Sequence, residues 1–243
     1  MFMEKTVGRS ALLNGAVELL QAIDPEGVKA KPVDGPLLVE IGGANKAGKS
    51  TIRNLLYDFF RRTGFRAHTL NEAAGIIEVP REDQFYYTMR AGIYNLTNLL
   101  DRAWDPRYHI VLFERSVFDN LGWWEVIRRE GLITAAERNV MWEFFSQPRL
   151  TGLLDAVVYV NCDPEVALSR ERTVIQRTGR RMNPETQKVS TESFAAAAKA
   201  HGGKFKVFHE FDNTDYEPED AAAAIGQFLV DALCAREQIR NSA

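Results

Sequence analysis

The run Gly43-Ala44-Asn45-Lys46-Ala47-Gly48-Lys49-Ser50-Thr51 meets the phosphate-loop pattern G-x-x-x-x-G-K-[ST] at every fixed position. Leu37-Leu38-Val39-Glu40-Ile41 before it reads as a short buried strand, and the pattern after it reads as an amphipathic helix. The chain must therefore build a sheet whose strand end delivers a loop to a helix N-terminus. Polyphosphate oxygens need several converging backbone N–H groups, which a loop offers only where side chains are absent at the closest approaches, here at Gly43 and Gly48. Lys49 brings a point charge to the β- and γ-phosphates, Ser50 offers a hydroxyl to Mg²⁺, and the helix aims its positive end at the anion. Residues 43–51 read as the binding loop of a nucleoside triphosphate site.

Composition narrows the partners. The chain has 243 residues with 45% apolar, enough for a full core, and its 30 basic against 33 acidic residues give a net charge of −3, which points away from nucleic acid. Cys162 and Cys234 are far apart and lack metal-ligand spacing, so reduced thiols are expected. Apolar runs fall short of a bilayer span, and Met1–Ser10 lacks an apolar signal core. A cytoplasmic protein without a membrane partner is expected.

Along the chain, strand and helix patterns alternate, which predicts an α/β fold with a parallel sheet. A helix is expected from Gly8 to Ile23, packed on the core or serving as a homodimer contact or cap, with a Pro- and Gly-containing linker to Pro36. Residues 1–36 thus form an N-terminal appendage, and 37–243 form the main domain. After the loop, Ile52, Leu55, Leu56, Phe59 and Phe60 form an apolar stripe, with Arg53 placed off it and Gly64 at the stop. Phe65–Leu70 reads as a second strand that ends at Asn71-Glu72, and His109–Phe113 as a third that delivers Glu114-Arg115-Ser116 to the same sheet edge, where open α/β sheets bind ligands. Between them, Met89, Ile93, Leu96, Leu99 and Leu100 mark a long helix stopped at Asp105-Pro106.

Two helices are expected within Leu121–Phe145, the second opened by a capping box at Thr134. Their tryptophans Trp123, Trp124 and Trp142 suit core packing or, less commonly, a flat substrate. Asp155–Val160 and Phe205–Phe211 read as the fourth and fifth strands, followed by a helix at Pro164 and by Asp212-Asn213-Thr214 with a last helix, Glu219–Arg236. The basic run Arg170, Arg172, Arg177, Arg180 and Arg181 is either a solvated face or a mobile segment bringing positive charge to a transferred phosphoryl group.

Together these residues resemble the P-loop nucleoside and nucleotide kinases, in particular the deoxynucleoside kinase and thymidylate kinase superfamily. The likeness runs from about residue 37 to 235 by motif order. Glu114-Arg115-Ser116 is similar to the family's Glu-Arg-Ser motif, Arg170 with the Arg177-x-Gly179-Arg180 region to its arginine-rich lid (about 170–190), and Asp212-Asn213-Thr214 to the segment bordering the adenine of ATP. The resemblance implies a three-layer fold with a five-stranded parallel sheet flanked by helices. It implies ATP and Mg²⁺ as cofactors, with Ser50 and Glu114 toward the metal. By the resemblance Glu72 takes the place of the acid that orients and deprotonates the acceptor hydroxyl, Arg115 contacts the acceptor and the phosphates, and Lys49, Arg177 and Arg180 supply charge at the reacting phosphorus; the alternative for Glu72 and for Glu114 is a plain ion pair with an arginine.

The acceptor pocket is expected at the start of the long helix, where Gln84, Phe85, Tyr87 and Arg90 mix flat and polar side chains with Tyr86. Departures exist as well. Ala73 stands where proline is common, Asn71 where thymidylate kinases carry arginine, and Gly42 where an acid often precedes the first glycine. The acceptor is a nucleoside, a nucleoside monophosphate or another small hydroxylated metabolite or antibiotic. A reading of another class, a regulatory NTPase switch, lacks the guanine-reading Asn-Lys-x-Asp sequence.

Overall fold

The computed structural model describes residues 2–25, 27, 35–70, 72–73, 76–79, 82–172 and 183–242. In chain order the elements are α1 (Phe2–Ile23), β1 (Leu37–Gly42), α2 (Lys49–Arg62), β2 (Ala67–Leu70), α3 (Gln84–Arg102), β3 (Ile110–Glu114), α4 (Val117–Arg129), α5 (Ala135–Phe145), α6 (Pro148–Thr151), β4 (Ala156–Asn161), α7 (Pro164–Arg172), α8 (Pro184–His201), β5 (Phe208–Asp212) and α9 (Pro218–Ser242). The strands form one parallel sheet in the order β2-β3-β1-β4-β5. β1 lies between β3 and β4, with Ile41 beside both Glu114 and Val158. This places the loop after β1 where the connections part to opposite sides of the sheet, the switch point at which open α/β sheets bind ligands.

Alternation along the strands makes two cores. Leu37, Val39 and Ile41 of β1, with Ile110 and Leu112 of β3, face Leu12, Leu19, Ile52, Leu56, Phe60 and Ile225 on α1, α2 and α9. Leu38, Val111 and Phe113 face the opposite way, onto Leu99 of α3, Trp124 of α4, Phe145 of α5 and Phe194 of α8. This parity decides where the charged residues go. Glu114 falls on the α2 side with Ile110 and Leu112, while Glu40 and Gly42 fall on the α4 side with Leu38.

Several boundaries differ from the sequence reading for local reasons. The second strand starts at Ala67 instead of Phe65 because Gly64 (φ 99°) and Phe65 end α2 in a Schellman motif. The Gly64 N–H donates to the Arg61 carbonyl and the Phe65 N–H to the Phe60 carbonyl, and the rings of Phe60 and Phe65 meet at 5.0 Å. The capping box at Thr134 forms as expected, with Glu137. A second one, Asn183 with Thr186, opens α8.

The long helix turns a different face inward. α3 buries Thr88, Gly92, Asn95 and Leu99, leaving Ile93 47% and Leu100 41% exposed. Gly92 is the reason, since a Cβ there would lie 2.7 Å from the Phe145 ring, so this is the face where α3 comes nearest α5. Arg53, expected off the apolar stripe, is buried on α2. Among the described residues no helix is long and apolar enough to cross a membrane.

Candidate active site

The phosphate loop has the geometry its glycines require. Gly43 (φ 138°) passes so close to β4 that a Cβ would lie 2.1 Å from the Val160 carbonyl oxygen, and Gly48 (φ 99°) leaves no room beside the Asn213 amide. Lys46 is also left-handed at φ 59°. Ala44 and Ala47 are buried, while Lys46, Ser50 and Thr51 are exposed. α2 begins at Lys49 with no side-chain cap and no acid in its first turn. Its free N–H groups and positive end are directed to an anion. The Lys49 ammonium is buried against the loop and donates to the Ala44 carbonyl at 2.6 Å. Burial first, then the charge of Arg115, lowers its pKa to about 8.

Glu114 arrives at this lysine from the end of β3. One carboxylate oxygen accepts from the Ser50 hydroxyl at 2.5 Å, and the other pairs with Arg53 at 3.0 Å. Arg53 also donates to the carbonyl of Leu70, the last residue of β2, at 3.0 Å. It therefore fixes Glu114 and ties the second strand's end to the phosphate helix. The spacing from Ser50 to Arg53 is one helical turn, a signal the apolar-stripe reading passed over.

Arg115 is the hub of the site. It follows β3 directly, in a left-handed conformation (φ 68°) that is rare for a side chain of this size. Its Nε donates to Glu72 at 2.7 Å, one terminal nitrogen donates to Asp119 at 2.7 Å, and the other donates to Asn45 of the loop at 2.9 Å. The guanidinium lies over the ring of Trp123, 5.3 Å from its centroid. Asp119, 1% exposed, also accepts the N–H of Gly43 at 3.1 Å. Sequence reasoning missed Asp119, although it stands one turn after Arg115 at the start of a helix. Glu40 was missed too. It is the one charged residue within an otherwise apolar β1, and it accepts the backbone N–H groups of Ser116, Phe118 and Asp119.

On the other side of the loop, Asn213 donates to the Ala47 carbonyl at 2.8 Å, and Arg170 donates to the Asn213 carbonyl at 2.7 Å. Asp212 accepts from both the N–H and the hydroxyl of Thr214, whose oxygen in turn accepts the Asp163 N–H before α7. The expected adenine-side residues therefore adjoin the loop. Arg177 and Arg180 lie outside the described residues; residues 184–190 of the expected lid form the start of α8, where Gln187 and Ser190 are buried.

The expected acceptor residues lie on the first two turns of α3, capped by Asp83, whose carboxylate accepts the Tyr86 N–H at 3.3 Å. Phe85 packs edge-on against Trp124 of α4 at 5.6 Å, Gln84 and Tyr87 are half-buried, and Tyr86 and Arg90 are exposed. This is an amphipathic helix start against the helix that carries Arg115 and Asp119 at its head.

Among the described residues no cluster of three or more His, Cys, Asp or Glu side chains could cage a metal. The Ser50 hydroxyl beside the Glu114 carboxylate fits Mg²⁺, which takes one or two such oxygens and fills its octahedron with phosphate oxygens and water.

No protein-family model matches the chain, and no curated protein matches it in sequence. Solved structures do match. Deoxyadenosine kinase from M. mycoides with the products dCMP and a flexible dCDP aligns at a TM-score of 0.58 and 18% identity, over 80% of this chain and 99% of that one. The same enzyme with dCTP aligns at 0.58 over 80% and 100%, and with dATP at 0.57 over 79% and 99%, both at 18% identity. The chain has the fold of a P-loop deoxynucleoside kinase. The alignment leaves about a fifth of this chain without a counterpart in that enzyme.

Proposed function

We propose that this protein transfers the γ-phosphoryl group of ATP to a hydroxyl of a nucleoside. One observation carries the reading: a single guanidinium, that of Arg115, joins Glu72 to Asn45 of the phosphate loop. A group able to take a proton from an acceptor and the loop that grips the donor are thereby within one side chain of each other. Phosphoryl transfer needs little covalent help, only alignment and neutralisation of charge on the transferred oxygens. The nucleotides bound in the M. mycoides structures favour a nucleoside over other hydroxylated acceptors.

In this mechanism the loop N–H groups and Lys49 hold the β- and γ-phosphates. Ser50 and Glu114 would hold Mg²⁺, which would supply charge neutralisation at the phosphates, and Arg53 keeps Glu114 in place. Glu72, 38% exposed at its side chain, faces outward, whereas Asp119, the other acid on Arg115, is 1% exposed. The Glu72 carboxylate accepts the hydroxyl proton as the acceptor oxygen bonds to the γ-phosphorus, and ADP leaves. Arg115, released in part from Glu72, turns its charge toward the oxygens of the transferred group. Asn213, Arg170, Asp212 and Thr214 border the nucleoside end of ATP.

The test is transfer of label from γ-labelled Mg-ATP to each member of a panel of ribo- and deoxynucleosides. Label in a nucleoside 5′-phosphate is expected. Label found only in inorganic phosphate, at a rate indifferent to the nucleoside, would overturn the reading in favour of an NTPase switch.

A further inference from the structure

Glu40 is a fully buried carboxyl in the middle strand of the sheet, where β1 is otherwise apolar. Isolating such a group from water costs several kcal/mol unless hydrogen bonds compensate. Here one oxygen accepts the Ser116 N–H at 2.7 Å and the Asp119 N–H at 2.8 Å, and the other accepts the Phe118 N–H at 2.9 Å. These are N–H groups at the head of α4, whose N-cap residue Ser116 makes no side-chain cap and whose hydroxyl has no hydrogen-bond partner. The helix is capped from the sheet beneath it, by a residue distant in sequence, and not by its own N-cap. Gly42 makes this arrangement fit. A Cβ there would stand 3.0 Å from the Phe118 ring and 3.2 Å from the Glu40 carboxylate, so the space above β1 goes to Glu40.

The capped turn is the one that carries the site. Arg115, immediately before it, is held left-handed, and Asp119, whose own N–H Glu40 takes, joins Arg115 to the Gly43 N–H. Burial, and next the charge of Asp119, pushes the Glu40 pKa up to about 8 against the pull of its three N–H bonds.

We propose that Glu40 is a positioning residue for phosphoryl transfer: from inside the sheet it caps α4 and so sets Arg115 and Asp119 against the phosphate loop and Glu72. This rests on the proposed function for its kinetic consequences, and on geometry alone for its structural one. Glu40 does not touch substrate; it acts through the Ser116–Asp119 backbone.

The experiment is a double-mutant cycle of Glu40→Gln and Asp119→Asn, with amide hydrogen exchange measured on the same substrate-free proteins. Glu40→Gln keeps the shape but sets an amide N–H₂ against an N–H donor, and the comparison is made at pH 9, above the Glu40 pKa of about 8, where the wild-type group is the carboxylate. Exchange at Ser116, Phe118 and Asp119 is expected to quicken about tenfold or more, with Val111, Leu112 and Phe113 of β3 unchanged. The kcat of the variant is expected to fall at least about tenfold while its KM for ATP stays within about twofold of wild type, and the double variant to be no slower than the slower single one. Unchanged exchange at the three amides, or losses in kcat that multiply, would overturn the proposal. Should Glu40→Gln fail to fold, Glu40→Asp, which keeps the carboxylate one methylene short, takes its place in the same cycle. A wild type that phosphorylates no nucleoside would remove the proposed function but leave the exchange measurement to decide whether Glu40 holds the turn.

Discussion

The two ends of α4 each gather charge around buried carboxylates, and they are built differently. At the C-terminal end the Glu125 carboxylate collects Arg128, Arg129 and Arg138, with Arg129 passing on to Glu192 and Arg138 stacked 3.7 Å from the centroid of the Trp142 ring. Every contact there runs from side chain to side chain, and Arg128 and Arg129 sit in the last turn, where the helix dipole favours cations. At the N-terminal end the acids accept backbone N–H groups. Glu40 takes three from the turn, Asp119 takes one from Gly43, and Arg115 is held left-handed. The first cluster fastens helices together with no residue held left-handed. The second fixes a loop and a turn in costly geometry, the mark of a site whose shape is used. Density of charge does not separate the two, whereas the kind of partner does.

Substitutions at the two ends are expected to sort accordingly. Lys49→Ala, at the loop served by the N-terminal cluster, is expected to lower turnover by a factor of about 10³ or more with little change in melting temperature, checked by steady-state kinetics beside calorimetry. Glu72→Gln is expected to lower kcat by about 10²–10³ while calorimetric ADP affinity holds, because its proposed role is toward the acceptor and not the nucleotide. Full turnover in that variant would remove Glu72 from its role. Glu125→Leu should do the reverse, costing about 3 kcal/mol in urea unfolding, since three arginines lose their shared partner, with kcat unchanged where the protein is folded.

A smaller effect follows from Lys49 itself. Its pKa near 8 means the ammonium is charged below that pH, and bound phosphates raise the value further, so ATP affinity is full below about pH 8 and falls by up to about tenfold per unit above it. Isothermal titration from pH 6.5 to 9.5 reads this slope. It should persist in Glu40→Gln, which removes a carboxyl whose pKa, pushed up to about 8, lies in the same range. The smallest effect is at the half-exposed Arg129–Glu192 pair, where Glu192→Ala should change stability by no more than about 0.5 kcal/mol and turnover not at all.

The parallel sheet and the phosphate loop were legible because they rest on local signals. An apolar run followed by glycines at fixed spacing leaves few conformations, and Glu114-Arg115-Ser116 follows another apolar run to the same edge. The face of α3 was not legible, since Gly92 turns inward to meet Phe145, a contact between residues far apart in sequence that overrides the apolar pattern of Ile93 and Leu100. Arg53 and Glu40 escaped for a related reason. Each is a charged residue in an apolar setting whose partners, Glu114 and the head of α4, are fixed by the sheet order β3-β1 and not by any local pattern. Asp119 lay within reach of a simple rule, one turn after Arg115, but nothing in the sequence shows that Gly43 folds back to meet it.

The most direct test is a crystal structure of the protein grown with ADP, Mg²⁺ and a nucleoside. The β-phosphate is expected within hydrogen-bonding distance of the N–H groups of Gly48 and Lys49, and a nucleoside hydroxyl facing a Glu72 that has moved off Arg115. ADP seated away from the loop, or a nucleoside held where neither Glu72 nor Arg115 can touch it, would contradict the claim that one guanidinium joins donor to acceptor.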